Sequence, residues 1–162
     1  MSEGQLARAK TFAASHRRGD PLLLPNAWDV ASAVAIAGAG AAAIATTSAG
    51  VAWSLGVPDG ADLGADRAAA VVARLCAAVD VPVSADIEGG YESVAETTTA
   101  VVRAGAVGVN LEDRSGAGLF AEAAQAERLA AARATAELLG AGTYDVTADG
   151  IPYGDLNAAL TR

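Results

Sequence analysis

The chain has 162 residues, enough for one domain with a real core, and a net charge of −8. That charge excludes the basic stripes that nucleic acid needs, and no apolar run is long enough to call a membrane span. Hydrophobic residues make up 52% of the chain but aromatic ones only 4%, so Ala, Val and Leu must build the core.

The elements alternate along the chain. Leu6, Ala9, Phe12 and Ala13 share one face of a helix predicted over residues 3–16. The start, "MSEGQLARAKTFAASHRRGD", has no apolar stretch of the secretory kind, and Cys76 alone cannot form an internal disulfide, so a cytoplasmic home is expected. "LLLPNAWD" reads as a strand ending at Pro25. Asn26 or Asp29 then caps a helix over 29–37, stopped by Gly38 or Gly40. "AAAIATT", residues 41–47, is the second strand. The polar, glycine-rich stretch "SAGVAWSLGVPDGADLG" follows as a loop, expected to be mobile over 48–64. Val71, Val72 and Leu75 mark the inner face of a helix over 65–79. "VPVSAD" is the third strand, with a helix over 91–104; "AVGVNLE" is the fourth, with a helix over 121–139.

Four rounds of strand then helix, with strands apolar throughout, predict an α/β fold of parallel (β/α) units. Open doubly wound sheets and barrels both use this alternation, and both bind ligands at the carboxyl ends of their strands. Asp29, Ser48, Asp59, Asp86, Glu88, Glu112 and Asp113 all fall at that end.

Asp86 and Glu88 stand where the third strand stops, before Gly89 and Gly90; Glu112 and Asp113 repeat the pattern after the fourth. Asp86, Glu88 and Glu112 are hard oxygen donors with no His or Cys cluster beside them, which suits Mg²⁺ or Mn²⁺ rather than zinc. Carboxylates packed on one rim repel unless a cation sits between them. The competing reading is that they cap the following helices, and spacing does not choose between the two. "TTSAG", 46–50, offers hydroxyls and backbone N–H groups for a carboxylate or phosphate, although such clusters are usually plain loops. His16, beside Arg17 and Arg18, reads as a surface cation at a helix end, and Cys76 as core. "GAGAA", 38–42, precedes a strand and so is no dinucleotide fingerprint.

"PNAWDVASAVAIAGAGAAAIATTSAGVAWSLGVPDG", "PVSADIEGGY" and "GVNLED" together resemble the isocitrate lyase/phosphoenolpyruvate mutase superfamily over roughly residues 15–137. The resemblance implies units of TIM-barrel type, Mg²⁺ at the C-terminal rim, and a small 2-oxo or 2-hydroxy acid as substrate, with C–C or C–P bonds made or broken. It makes Asp86 the acid closest to the metal, with Glu88 and Glu112 holding the metal's waters. Thr47, Ser48 and Ala49 become the loop for the substrate carboxylate. Asp59, in "LGVPDG", becomes the catalytic acid on a flexible segment near the reacting centre.

Such a barrel needs about 250 residues. The end "LLGAGTYDVTADGIPYGDLNAALTR" resembles the extreme C-terminus of family members, which implies an internal deletion near 134–139 that removes strands five to eight. The arginine, glutamate and asparagine that the family places there would be missing. The lyases' Cys-containing lid motif is replaced by "RSGAGLFAEAA", with neither Cys nor Lys. The expected organisation is a partial barrel over 1–139 and a C-terminal tail over 140–162 that docks on a partner. Exposed sheet edges at strands one and four, and an inner face left open at Ala43, Ile44, Val83 and Val109, predict a homo-oligomer. The alternative to an enzyme is an inactive fragment acting as an interaction or structural protein.

Overall fold

The computed structural model describes residues 1–115, 118–139 and 145–147. Helix α1, Glu3–Ser15, opens on Ser2, whose hydroxyl accepts the Gln5 N–H at 3.2 Å. Then come β1 (Asn26–Ala27), α2 (Val30–Gly38), β2 (Ile44–Thr46), α3 (Ser48–Ser54), α4 (Ala65–Ala78), β3 (Val83–Asp86), α5 (Val94–Arg103) and β4 (Gly108–Asn110). A small antiparallel hairpin, β5 (Arg114–Ser115) and β6 (Gly118–Leu119), leads into α6 (Glu122–Leu138). The last described element is β7 (Asp145–Thr147). The main sheet is parallel throughout, in the order β1-β2-β3-β4-β7. This is the α/β architecture of (β/α) units that the alternating pattern predicts.

The sheet has five strands rather than the expected four. β7 comes from the stretch read as a tail, and it pairs with β4 through Gly108–Asp145, Val109–Val146 and Asn110–Thr147. β4 is therefore an inner strand, and the edge expected there is covered by the chain itself. Residues 140–144 and 148–162 of the expected tail, and the partner docking assigned to it, lie outside the described residues.

The first strand starts where it was expected to end. Pro25 has no N–H to give a ladder, but its carbonyl accepts the Ala45 N–H at 3.0 Å, and pairing continues through Asn26 and Ala27. Leu22 and Leu24 pack beside α1 instead. The expected loop after β2 is helical in its first half. Val51 and Ala52 bury their side chains and hold α3 down. Gly50 lets it approach β1, since a Cβ there would stand 2.9 Å from the Cβ of Trp28.

The apolar strand residues are not open. Ala43, Ile44, Val83 and Val109 are 1%, 0%, 2% and 0% exposed. Strand side chains alternate between faces. In register, Ile44 sits beside Val83 and Ala85 beside Val109, and these pack into the helix layer with Val71, Leu75, Val101 and Leu129. The opposite face carries Ala45, Ser84, Asp86, Gly108 and Asn110, which are small or polar. Phe12 of α1 comes down on part of it. A Cβ at Gly108 would lie 2.6 Å from the Phe12 ring and 2.9 Å from the Ser84 hydroxyl, so the closure requires glycine. These four residues therefore present no wet apolar face for a second copy to cover. No helix among the described residues is long and apolar enough to cross a membrane.

Candidate active site

The carboxyl ends of β2, β3 and β4 open onto a cleft of about 670 Å³. Ser48, Asp59, Glu88 and Glu112 line it together. Asp86 stands beside them and ties two of them together. Its Oδ2 accepts the Ser48 N–H at 2.9 Å and its Oδ1 accepts the Glu88 N–H at 2.9 Å. The Asp86 N–H in turn donates to the Thr46 hydroxyl at 2.8 Å. Thr47 is the N-cap residue of α3 and Ala49 lies in its first turn; neither lines the cleft. A cleft of about 720 Å³ lies at the other end of the sheet, among Pro21, Leu22, Leu23, Ile36 and Ala42. Its charged groups, Arg17 and Asp20, pair with each other on the surface at 3.6 Å, so it lacks the convergent polar groups of a reaction site.

The capping reading holds for Asp29 alone. Its carboxylate accepts the Ser32 N–H at 2.7 Å, a bond that holds its carboxyl below the usual range. None of Asp86, Glu88 and Glu112 is the N-cap residue of a helix, since those of α3, α5 and α6 are Thr47, Ser93 and Ala121; Asp86 instead reaches across to the first amide of α3, that of Ser48. Glu88 is also held in an unusual backbone state. Its φ is +49° and that of Tyr91 is +48°, a left-handed conformation that non-glycine residues avoid. Gly90 between them has φ +81°, and a Cβ on it would come within 2.6 Å of Val94. Such turns persist where the surroundings over-determine them, and they gather at functional sites.

Burial pushes the Glu88 carboxyl above its usual range. The Tyr91 hydroxyl, donating to its Oε1 at 2.7 Å, pulls it back, while Asp86, Asp59 and Asp62 push it further up. Burial and the bond to Glu88 push the Tyr91 phenol up as well, so Tyr91 stays a donor. Among the described residues no group of three or more His, Cys, Asp or Glu could by itself hold a metal ion. The donor set fits a hard cation in another way. Each Asp86 oxygen accepts one N–H and retains a lone pair, and Glu88 and Glu112 face the same cleft. One direct carboxylate with further acids holding water is how Mg²⁺ is commonly bound.

Sequence reasoning missed Tyr91, Asp62, Phe120 and Arg128, which also line the cleft. Tyr91 carries a faint signal, three residues past Glu88 and after two glycines. Arg128 carries none, because only the packing of α6 brings it within reach of the turn after β3.

Comparison with known proteins agrees with this architecture. The phosphoenolpyruvate phosphomutase family matches residues 12–148. The chain belongs to that family. Uncharacterized proteins of two Mycobacterium tuberculosis strains, CDC 1551 / Oshkosh and H37Rv, are 41% identical to it over 119 residues, 72% of this chain and 45% of theirs. A solved Burkholderia cenocepacia J2315 protein, provisionally classed as a lyase or mutase, is 40% identical with a TM-score of 0.82, over 91% of this chain and 54% of that one. Phosphonopyruvate hydrolase, solved with oxalate and Mg²⁺, shares the fold at 19% identity and a TM-score of 0.76, over 99% of this chain and 60% of that one. The chain thus spans about half the length of the mycobacterial relatives it matches.

Proposed function

We propose that the rim of this sheet holds Mg²⁺ or Mn²⁺ and serves lyase or mutase chemistry on a small 2-oxo or 2-hydroxy carboxylic acid, making or breaking a C–C or C–P bond. The observation that carries the reading is the meeting of Asp59, Glu88 and Glu112 in one cleft, with Asp86 braced beside them. Asp86 would hold the cation directly, and Glu88 and Glu112 its waters. The cation would supply positive charge against an oxyanion developing beside the scissile bond. Of Thr47, Ser48 and Ala49, Ser48, which lines the cleft, would take the substrate carboxylate through its hydroxyl, since its N–H is engaged by Asp86, with Thr47 and Ala49 flanking it. Asp59 would work at the reacting centre. The oxalate and Mg²⁺ held by phosphonopyruvate hydrolase support the same pairing of small acid and metal here.

The test is a panel of small 2-oxo and 2-hydroxy acids and phosphonates, with pyruvate or glyoxylate as the measured product. Turnover that disappears on chelation is expected. No product from any acid, with Mg²⁺ or Mn²⁺ present, would overturn the enzymatic reading.

That outcome would favour the alternative, an inactive interaction or structural protein. The outer strands of the described sheet, β1 and β7, would then supply the pairing edges for a homo-oligomer. Sedimentation as a monomer would remove the oligomer.

A further inference from the structure

The turn that presents Glu88 is held from outside by α6. The Arg128 guanidinium reaches across 39 residues of sequence, and its Nη2 donates to the Gly89 carbonyl at 2.6 Å. The same guanidinium lies over the Phe120 ring, 3.9 Å from its centroid. Phe120 is fixed in turn, its N–H donating to the Asp113 carbonyl at 2.8 Å. One turn earlier on α6, the Gln125 side-chain amide donates to the Glu112 carbonyl at 3.3 Å. The two acid-bearing turns also bond directly, through the Glu112 N–H and the Glu88 carbonyl at 2.8 Å. Gly89 is pressed close, since a Cβ there would lie 3.1 Å from the Arg114 carbonyl.

We propose that Arg128 is a positioning residue for the rim site: by gripping the Gly89 carbonyl it fixes the left-handed turn at Glu88 and so the way that carboxylate faces the cleft beside Asp86. Packing alone does not call for an arginine here. Its Nε is buried without a hydrogen-bond partner, which is costly and which an unbranched apolar side chain would avoid. The bond to Gly89 is what the guanidinium adds. A left-handed non-glycine residue needs such outside support. Groups that orient the ligands of a metal, without touching it, govern its affinity.

The inference rests on the proposed rim site for its metal readout but not for its structural one. Mn²⁺ alone, titrated into the full chain and followed by electron paramagnetic resonance, is the first probe. Arg128→Met should weaken Mn²⁺ binding by about tenfold or more, and Arg128→Lys, which keeps one donor, should recover most of the loss. A role in stability alone would lower the unfolding midpoint without that split between the two variants. Amide exchange without metal is the second probe. In Arg128→Met the Gly90 and Glu112 amides should exchange about tenfold faster, while the Val107 amide, bonded to Val83 at 2.9 Å, keeps its wild-type rate. Wild-type exchange at Gly90 and Glu112 in Arg128→Met would overturn the proposal. So would Mn²⁺ affinity equal to wild type, or no recovery with lysine. If the wild type itself takes up no Mn²⁺, the rim site as a metal site fails, and exchange alone then decides the role of Arg128.

Discussion

Removing the Asp86 carboxylate should cost the protein stability before any metal is added. The two oxygens accept the Ser48 and Glu88 amides, both at 2.9 Å, and so join the start of α3 to the turn after β3. A hydrogen bond to a charged acceptor contributes about 1.5–3 kcal/mol. With Asp86 half-buried, Asp86→Ala should cost roughly 2–4 kcal/mol for the pair, a large part of a total stability of about 5–15 kcal/mol. Asp86→Asn keeps one carbonyl oxygen and should lose about half as much. Mg²⁺ at a hundred times its dissociation constant should add about 2.7 kcal/mol to the wild type. Urea unfolding separates the two effects: with a slope of about 1–3 kcal/mol/M, each appears as a midpoint shift on the order of 1 M. Both variants should show no Mg²⁺ shift, and they should differ from each other without it. Equal midpoints for wild type and Asp86→Ala in chelator would refute the bracing role. A full Mg²⁺ shift in both variants would refute the metal site. Without the chelator arm, lost metal binding in Asp86→Ala would mean little, because a loosened turn would produce it too.

Gly90→Ala should cost roughly 2–4 kcal/mol, from a left-handed alanine and from a Cβ 2.6 Å from Val94, read as a lower denaturation midpoint; a change under about 1 kcal/mol would show that the turn adapts. Cys76, whose thiol burial pushes up to about 11, should alkylate far more slowly at pH 8 in the native protein than in urea. The shift also favours folding below the thiol's ordinary value of about 9, a contribution lost as pH rises from there through about 11, so equal alkylation rates in the two states would show the thiol to be open. Within the stretch 48–64, the Val51 and Leu55 amides, bonded in α3, should exchange slowly and the Asp59, Gly60 and Asp62 amides fast; exchange at those three as slow as in β3 would end the reading of Asp59 as carried on a mobile segment.

The sequence by itself determined the order of the elements and the end of the sheet where chemistry belongs. Apolar runs such as "VPVSAD" stop at acids, and a parallel sheet puts every such stop on one rim, so the place of Asp86, Glu88 and Glu112 on that rim could be read from local pattern alone. The helix over 65–78 was legible for the same reason, since Val71, Val72 and Leu75 recur at the helical period. Wherever the deciding partner is distant in sequence, only the tertiary structure could choose. That Asp86 serves the start of α3 rather than the helix that follows its own strand depended on the Ser48 amide, 38 residues away. Whether Val83 and Val109 are wet or packed depended on which face α4, α5 and α6 cover, which alternation fixes only in relative terms. β7 is too short to read alone and exists because β4 offers it a ladder. Arg128 belongs to the site because α6 packs where it does, and the fold alone places its guanidinium on a carbonyl 39 residues away.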